Sequence, residues 1–144
     1  MSTDAAPVRV LVADDQKVVR DGLSLLLGML PGVEVIGTAV DGTDAVRQAE
    51  AALPDIVLMD LSMPNCDGVE ATRLIACQQP DVRVVVLTAF SDDGSVFAAL
   101  RAGARGYLTK NAGAGEILQA LSAVRAGDAH LPLRQAGPHH ARCR

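Results

Sequence analysis

The sequence predicts an α/β protein in which one open sheet of parallel strands is covered by helices on both faces. Short apolar runs alternate five times with longer segments whose apolar residues recur at intervals of three and four. Residues 56–59 are apolar without any polar alternation, which is typical of a strand buried on both faces of a parallel sheet. The connections are short, so we expect right-handed βαβ crossovers between successive strands.

The five predicted strands are short, mostly apolar runs bounded by turn residues such as Pro31-Gly32. They cover residues 8–13, 33–39, 56–60, 82–87 and 107–109. Four of them run directly into polar side chains: the first is followed by Asp14-Asp15, the third ends in Asp60, the fourth at Thr88 and the fifth at Lys110.

The five predicted helices each place apolar residues along one face. They cover residues 16–30, 41–52, 69–79, 91–102 and 114–126. Asp15 or a neighbour is expected to cap the first helix, and Asp41 and Asp67 open the second and third. Pro80 and Gly127 end the third and fifth helices.

The length of 144 residues fits one domain with a real core, which we place at residues 8–127. Residues 1–7 are expected to form a flexible leader without the features of a signal peptide. Residues 128–144 show no periodicity and are expected to form a linker or disordered tail, with no output domain present. No apolar run reaches the roughly 20 residues that a membrane span needs.

The formal net charge is −4, and the acidity is concentrated before Asp128, because only arginines carry formal charge after it. So acidic a domain is a poor candidate for direct binding to nucleic acid and a better one for cations or a basic partner. The three cysteines, Cys66, Cys77 and Cys143, cannot all pair within the chain. We interpret them as free thiols in a reducing, cytoplasmic compartment.

Five side chains with chemical potential fall at the carboxyl ends of predicted strands. They are Asp14, Asp15, Asp60, Thr88 and Lys110. Because parallel strands end at one edge of the sheet, where open α/β sheets bind ligands, we expect these side chains to lie close together. One aspartate after a strand is commonly only a helix cap, but five such side chains at successive junctions favour a ligand site.

Crowded carboxylates repel one another unless a cation neutralises them, and Mg²⁺ prefers hard oxygen ligands while helping to bind phosphate. A carboxylate can also attack phosphorus and form an aspartyl-phosphate. The hydroxyl of Thr88 and the ammonium of Lys110 would then hold the phosphoryl oxygens. The sequence therefore predicts a Mg²⁺-dependent phosphoryl site.

Over about residues 8–126, the chain resembles the receiver domain of bacterial response regulators. The motifs that carry the resemblance, in the family's order and approximate spacing, are Asp14-Asp15, Asp60 with Pro64 and Asp67-Gly68 downstream, Thr88-Ala89 and Lys110. The resemblance implies a flavodoxin-like fold with strand order 2-1-3-4-5. It also implies that Asp60 accepts phosphate from a histidine kinase, as a regulatory domain rather than an enzyme with turnover.

The same resemblance implies a role for each metal ligand. Asp15 would bind Mg²⁺ directly, and Asp14 would act largely through water. The Asp60 carboxylate and the backbone carbonyl of Ser62 would complete the protein's share of the metal shell.

The family also implies a switch. Thr88 would swing toward the phosphoryl group and Tyr107 would turn inward, which would reshape the face formed by the fourth helix, the fifth strand and the fifth helix. Ser62 and Phe90 would lie near the path of the attacking water. Phe90 would shield the phosphate and lengthen its lifetime.

Further motifs resemble the NarL/FixJ subgroup, whose output is a LuxR-type helix-turn-helix. They lie at residues 10–15, 37–39, 63–68 and 102–108. The subgroup implies transcription control through an output domain that would contact DNA, but no such domain follows, so the chain is a fragment, is frame-altered or is a single-domain receiver. A homodimer would form through the first and fifth helices or through the reshaped face.

Alternative functions stay open at this point. A Mg²⁺ phosphohydrolase would share the aspartyl-phosphate, but such enzymes commonly place a second aspartate where this chain has Ser62. A flavin binder would need stacking aromatics, and only 2% of the residues are aromatic. An atypical receiver that dimerises without phosphate is a further possibility.

Overall fold

The computed structural model describes residues 6–63, 67–88 and 93–131, which form a five-stranded sheet with five helices. The strands are β1 Val8–Ala13, β2 Val33–Ala39, β3 Ile56–Asp60, β4 Arg83–Thr88 and β5 Gly106–Thr109. All neighbouring strands pair in parallel in the order β2-β1-β3-β4-β5. The predicted flavodoxin-like α/β fold is therefore confirmed.

The helices alternate with the strands as predicted. They are α1 Lys17–Gly28, α2 Gly42–Ala52, α3 Gly68–Gln78, α4 Asp93–Ala102 and α5 Ala114–Arg125. The first helix ends earlier than predicted, because the amides of Met29 and Leu30 bond carbonyls only three residues back, in a tighter turn.

Alternating side chains of the strands supply two apolar layers, one on each face of the sheet. Residues of α2, α3 and α4 complete one layer, and residues of α1 and α5 complete the other. β3 lies at the centre of the sheet, and all five of its residues are buried. The unbroken apolar run that predicted a central strand therefore reflects burial on both faces.

Aspartate carboxylates fix how the chain enters α1, α2 and α3. The carboxylates of Asp41 and Asp67 accept hydrogen bonds from the backbone amide of the third residue of α2 and α3, at 2.8 and 2.9 Å. At α1 the residue before the helix is Gln16, and its side chain makes no capping bond. Instead Asp14 Oδ1 accepts the Gln16 amide at 2.9 Å, so a neighbour of Asp15 holds the loop into α1.

The chain reverses after α5 and returns to the edge of the sheet. Gly127, at φ +97°, donates to the Val124 carbonyl, and the next amide donates to Ala123, an arrangement that ends a helix by turning the chain back. His130 then pairs in parallel with Gly106 of β5. Of the predicted tail, only residues 128–131 lie within the described part of the chain, and the remainder stays a prediction.

Two further findings bear on the sequence analysis. Within the described ranges, no helix is both long and apolar enough to cross a lipid bilayer. The interpretation of the cysteines as free thiols is wrong for Cys77, which is disulfide-bonded. Cys66 and Cys143 lie outside the described residues.

Candidate functional site

The carboxyl ends of four strands meet at one edge of the sheet, and the predicted site residues lie there. Asp14 follows β1, Asp60 is the last residue of β3 and Thr88 is the last residue of β4. The strand register places Asp60 opposite Leu87, next to Thr88. The amide of Lys110, just after β5, donates to the Thr88 carbonyl at 2.9 Å.

Three carboxylates converge at this edge. Asp14, Asp15 and Asp60 each offer an oxygen, and these oxygens all lie within 4.8 Å of one another. Asp14 is fully buried and Asp60 is 2% exposed, whereas Asp15 faces solvent. Negative charges this close, two of them removed from water, are unfavourable without a compensating cation.

Asp14 is held so that one of its oxygens faces the site. Oδ1 accepts the Gln16 amide, and the backbone carbonyl of Asp14 accepts a hydrogen bond from Arg20 Nη1 at 2.9 Å. Oδ2 is buried and makes no hydrogen bond within the described structure. It lies 3.6 Å from the Lys110 ammonium, which is an ion pair but too long for a hydrogen bond. A buried carboxylate oxygen without a hydrogen bond is suited to a cation or to a water bound to one.

Lys110 supplies the positive charge of the site. Its ammonium lies 3.0 Å from Asp60 Oδ1, and a third of its side chain is exposed. Burial alone would lower the pKa of Lys110, but the hydrogen bond and charge of Asp60, with the charge of Asp14, raise it above its ordinary value. Lys110 therefore stays protonated and able to hold an anionic group.

Asp60 has one engaged oxygen and one open to a ligand. Oδ1 accepts from the Lys110 ammonium and, at 3.2 Å, from the Ser62 amide. No other described residue bonds the carboxylate, which leaves Oδ2 available to a ligand. Burial, with the charge of Asp14, raises the pKa of Asp60, and Lys110 lowers it only in part. The ionised form is therefore destabilised, as expected of a carboxylate that needs a cation or an electrophile.

Gly68 allows α3 to begin against the end of β3. A Cβ at this position would lie 2.3 Å from the Asp60 carbonyl oxygen and 2.6 Å from the Leu61 Cα, and both are backbone atoms that cannot move aside. The amide of Gly68 also donates to the Leu61 carbonyl at 3.2 Å. The Asp67-Gly68 pair thus caps α3 and permits its close approach to the strand that carries Asp60.

The remaining predicted residues are only partly placed by the structure. Thr88 and Tyr107 are buried, at 4% and 8% exposure, on neighbouring strands. Ser62 is exposed. Phe90 lies outside the described residues, as do Pro64 and Ala89. Sequence reasoning missed Arg20, whose bond to the Asp14 carbonyl leaves no trace in the pattern of apolar residues.

The donor set fits Mg²⁺. Carboxylate oxygens are its preferred protein ligands, and it keeps several waters, which agrees with a site where three carboxylates of the described residues meet at one open edge. The unbonded Oδ2 of Asp14 is the specific feature that fits such an ion. Beside it, the ammonium of Lys110 adds a positive charge that can hold an anion brought to Asp60.

Comparison with known proteins agrees with this geometry. The family model for the response regulator receiver domain matches residues 10–122. The transcriptional regulatory protein LiaR of Bacillus subtilis (strain 168) is 43% identical over 137 residues, which is 95% of this chain and 65% of LiaR. The chain thus spans less than two thirds of that curated relative.

Solved structures give the same result. A LuxR-family two-component response regulator from Aurantimonas sp. SI85-9A1 superposes with a TM-score of 0.81 at 35% identity, over 87% of this chain and 89% of that one. The signal receiver domain of the response regulator NarL from Mycobacterium tuberculosis also gives 0.81, at 33% identity, over 85% and 99%. The predicted resemblance is confirmed: this chain belongs to the response regulator receiver domain family of two-component systems, and its relatives are regulatory proteins.

Proposed function

We propose that this chain is a phospho-accepting switch in which Asp60 receives a phosphoryl group from a histidine kinase. One observation carries the proposal: a buried carboxylate with an open oxygen lies within 4.8 Å of two other carboxylates and 3.0 Å from a lysine ammonium. In the transfer, an oxygen of Asp60 bonds to phosphorus while the bond from phosphorus to the donor's imidazole nitrogen breaks. The histidine leaves with the electron pair of that bond.

In this proposal Asp14, Asp15, Asp60 and the backbone carbonyl of Ser62 hold Mg²⁺. The ion would supply positive charge close to the negatively charged oxygens of the phosphoryl group during its transfer. Asp15, which is exposed, would bind it directly, and buried Asp14 would act largely through water.

Lys110 and Thr88 are the proposed partners of the phosphoryl oxygens. The ammonium that now pairs with Asp60 can donate its hydrogen bond to a phosphoryl oxygen once the carboxylate has become an acyl phosphate, because the negative charge then lies on the phosphoryl oxygens. The hydroxyl of Thr88, from the end of the neighbouring strand, would donate a second bond. Ser62 and Phe90 would control access of the water that removes the phosphate, with Phe90 lengthening the phosphate lifetime.

The response to phosphorylation is proposed to run from Thr88 to Tyr107 and to the face of α4, β5 and α5. Phosphorylation adds charge at Asp60, and a packing element with two arrangements converts that local change into a new surface. Tyr107 belongs to the same buried apolar layer as residues of α4, so a change in its position would be felt by that helix.

Partners follow from the relatives. We propose that a histidine kinase is the phosphate donor, that the chain pairs with a second copy, and that DNA is reached only through an output region outside residues 8–127. LiaR is a transcriptional regulatory protein, and this chain covers 65% of it. We also propose a cytoplasmic location, where a kinase draws on ATP, and no association with membranes.

The test is phosphotransfer from a small phosphodonor with Mg²⁺, read by intact mass. We expect an adduct of about 80 Da on the wild type and none on Asp60→Asn. The matched control is Asp55→Asn, because Asp55 lies at the opposite end of β3 and its carboxylate accepts the Arg9 amide at 2.8 Å. An adduct on Asp60→Asn, or none on the wild type, would refute the proposal. Release of inorganic phosphate from small phosphomonoesters would favour the phosphohydrolase instead.

A further inference from the structure

The outer edge of β5 carries a segment of the chain that the function described above does not use. Tyr107 donates its amide to the His130 carbonyl at 3.0 Å, and His130 donates its own amide to the Arg105 carbonyl at 3.1 Å. The two bonds enclose Gly106, which pairs in parallel with His130. Residues 128–131, which we name the edge segment, therefore pair with the outer edge of the sheet through a single bridge at His130.

Side chains on both faces of the sheet also hold the edge segment. Leu131 packs against the apolar layer that contains Tyr107 and residues of α4. The His130 ring is 13% exposed, and its Nε2 lies 3.7 Å from the Glu116 carboxylate of α5. The segment thus contacts β5 itself and the layers formed with α4 and with α5.

The lack of a side chain at Gly106 makes room for this contact. A Cβ at Gly106 would lie 2.4 Å from the His130 carbonyl oxygen and 3.0 Å from its amide nitrogen, and the three nearest heavy atoms all belong to His130. The φ of Gly106 is outside the left-handed region, so the backbone itself would accept alanine. A side chain at position 106 would therefore prevent the close approach of the edge segment.

We infer that the β5 edge is a docking surface for residues 128–131 and that the seating of this segment is coupled to the position of Tyr107. The proposed switch residue donates one of the two bonds that seat the segment, and the segment's apolar anchor shares its layer. A shift of Tyr107 therefore reaches the chain leaving the domain directly, without a partner protein. The coupling rests on the proposed function, whereas the docking does not.

The coupling acts in both directions through Tyr107. A phosphoryl group at Asp60 that repositions Tyr107 is expected to change how firmly the edge segment is held. Linkage then requires the reverse effect, because two equilibria that share one element bias each other equally. Removing the edge segment should change the affinity for a phosphoryl mimic at Asp60 by the same factor.

Docking is tested on the full chain by amide hydrogen exchange measured with NMR. In Gly106→Ala we expect exchange at the Tyr107 and His130 amides to quicken on the order of tenfold or more, since two hydrogen bonds are lost. The matched control is Gly115→Ala on α5, where a Cβ meets nothing within 4 Å and exchange should stay as in the wild type. Unchanged protection in Gly106→Ala would overturn the docking. If that variant does not fold, Leu131→Ser removes the apolar anchor outside the sheet and decides the same question.

Coupling is tested with beryllofluoride and Mg²⁺, which mimic the phosphoryl group at equilibrium. In the wild type, saturation should change exchange at the Tyr107 and His130 amides several-fold, and Gly106→Ala should change the affinity for beryllofluoride by a similar factor, tighter if saturation quickens exchange and weaker if saturation slows it. Equal affinities of the wild type and Gly106→Ala for beryllofluoride would overturn the coupling. Amide exchange that does not change when the wild type binds beryllofluoride would overturn it as well. Absence of any adduct on Asp60 would instead refute the proposed function and leave the docking result standing.

Discussion

Lys110→Met removes the only described positive charge that pairs with the buried carboxylates while keeping an apolar side chain of similar reach. The ammonium lies 3.0 Å from Asp60 Oδ1 and 3.6 Å from Asp14 Oδ2. At an effective dielectric constant of about 20, these distances correspond to gross attractions of about 5.5 and 4.6 kcal/mol. The variant also leaves the mutual repulsion of the two carboxylates uncompensated.

The net effect is smaller than the gross attraction. Desolvation of the ammonium opposes it, and removing one partner of a buried pair typically costs about 3–5 kcal/mol. A third of the Lys110 side chain is exposed, so solvent screens the pair, and we expect a loss of about 2 kcal/mol in the free energy of unfolding. In urea this lowers the denaturation midpoint by about 1 M.

The pH dependence gives the sharper assay. Without Lys110 the pKa of Asp60, already raised, should rise further, so the folded state holds a proton that the unfolded state releases. Stability then falls as pH rises above the ordinary carboxyl pKa of 3.8, and the deficit of the variant should be small near pH 4 and full near pH 7. Urea titrations of both proteins without Mg²⁺, at several pH values, measure this.

The matched control is Lys17→Met. Lys17 pairs with Asp21 at 2.8 Å, a shorter contact, but both side chains are largely exposed. We expect the free energy of unfolding of this control to change by less than about 0.5 kcal/mol at every pH. If Lys110→Met costs no more than this control, or costs the same at pH 4 and pH 7, the electrostatic account of the site is refuted.

Three further predictions concern the same edge of the sheet. Asp60→Asn should raise the urea midpoint at pH 7, because a carboxyl whose pKa is raised in the folded state destabilises the fold when it is ionised. The gain in stability should vanish below about pH 4, and a lowered midpoint at pH 7 would contradict the prediction. Gly68→Ala should lower the free energy of unfolding by about 2–3 kcal/mol, because the new Cβ clashes with the β3 backbone. Gly22→Ala should not lower it, because a Cβ at that position meets no atom within 4 Å, and equal urea midpoints for the two variants would contradict the prediction. Arg20→Ala should weaken Mg²⁺ binding several-fold in calorimetry while the fold stays intact, because the Asp14 loop loses its anchor, and unchanged affinity would show that the loop holds its own shape.

The fold could be predicted from sequence because its signals are local and agree with one another. The apolar run that ends in Asp60 is typical of a buried strand, and Asp41 and Asp67 stand where the second and third helices need caps. The carboxylate cluster followed from topology alone, since parallel strands end at one edge.

What escaped prediction depends on contacts between residues distant in the chain. His130 pairs with Gly106 through two backbone bonds, and a single paired residue has no periodic pattern to recognise. The odd number of cysteines favours free thiols, but an odd count does not exclude one bridge, and Cys77 is disulfide-bonded. Such features require the fold to be known first.

Phosphorylation of Asp60 is the step from which the other proposed roles follow. Borohydride reduces an aspartyl-phosphate to homoserine, so phosphorylated protein can be reduced, digested with trypsin and sequenced by mass spectrometry. The peptide that follows Arg47 and ends at Arg73 contains Asp55, Asp60 and Asp67, and fragmentation separates them. Homoserine at position 60, dependent on both phosphodonor and Mg²⁺, is the predicted result. Homoserine at position 14, 15, 55 or 67, with aspartate intact at 60, would contradict the central claim.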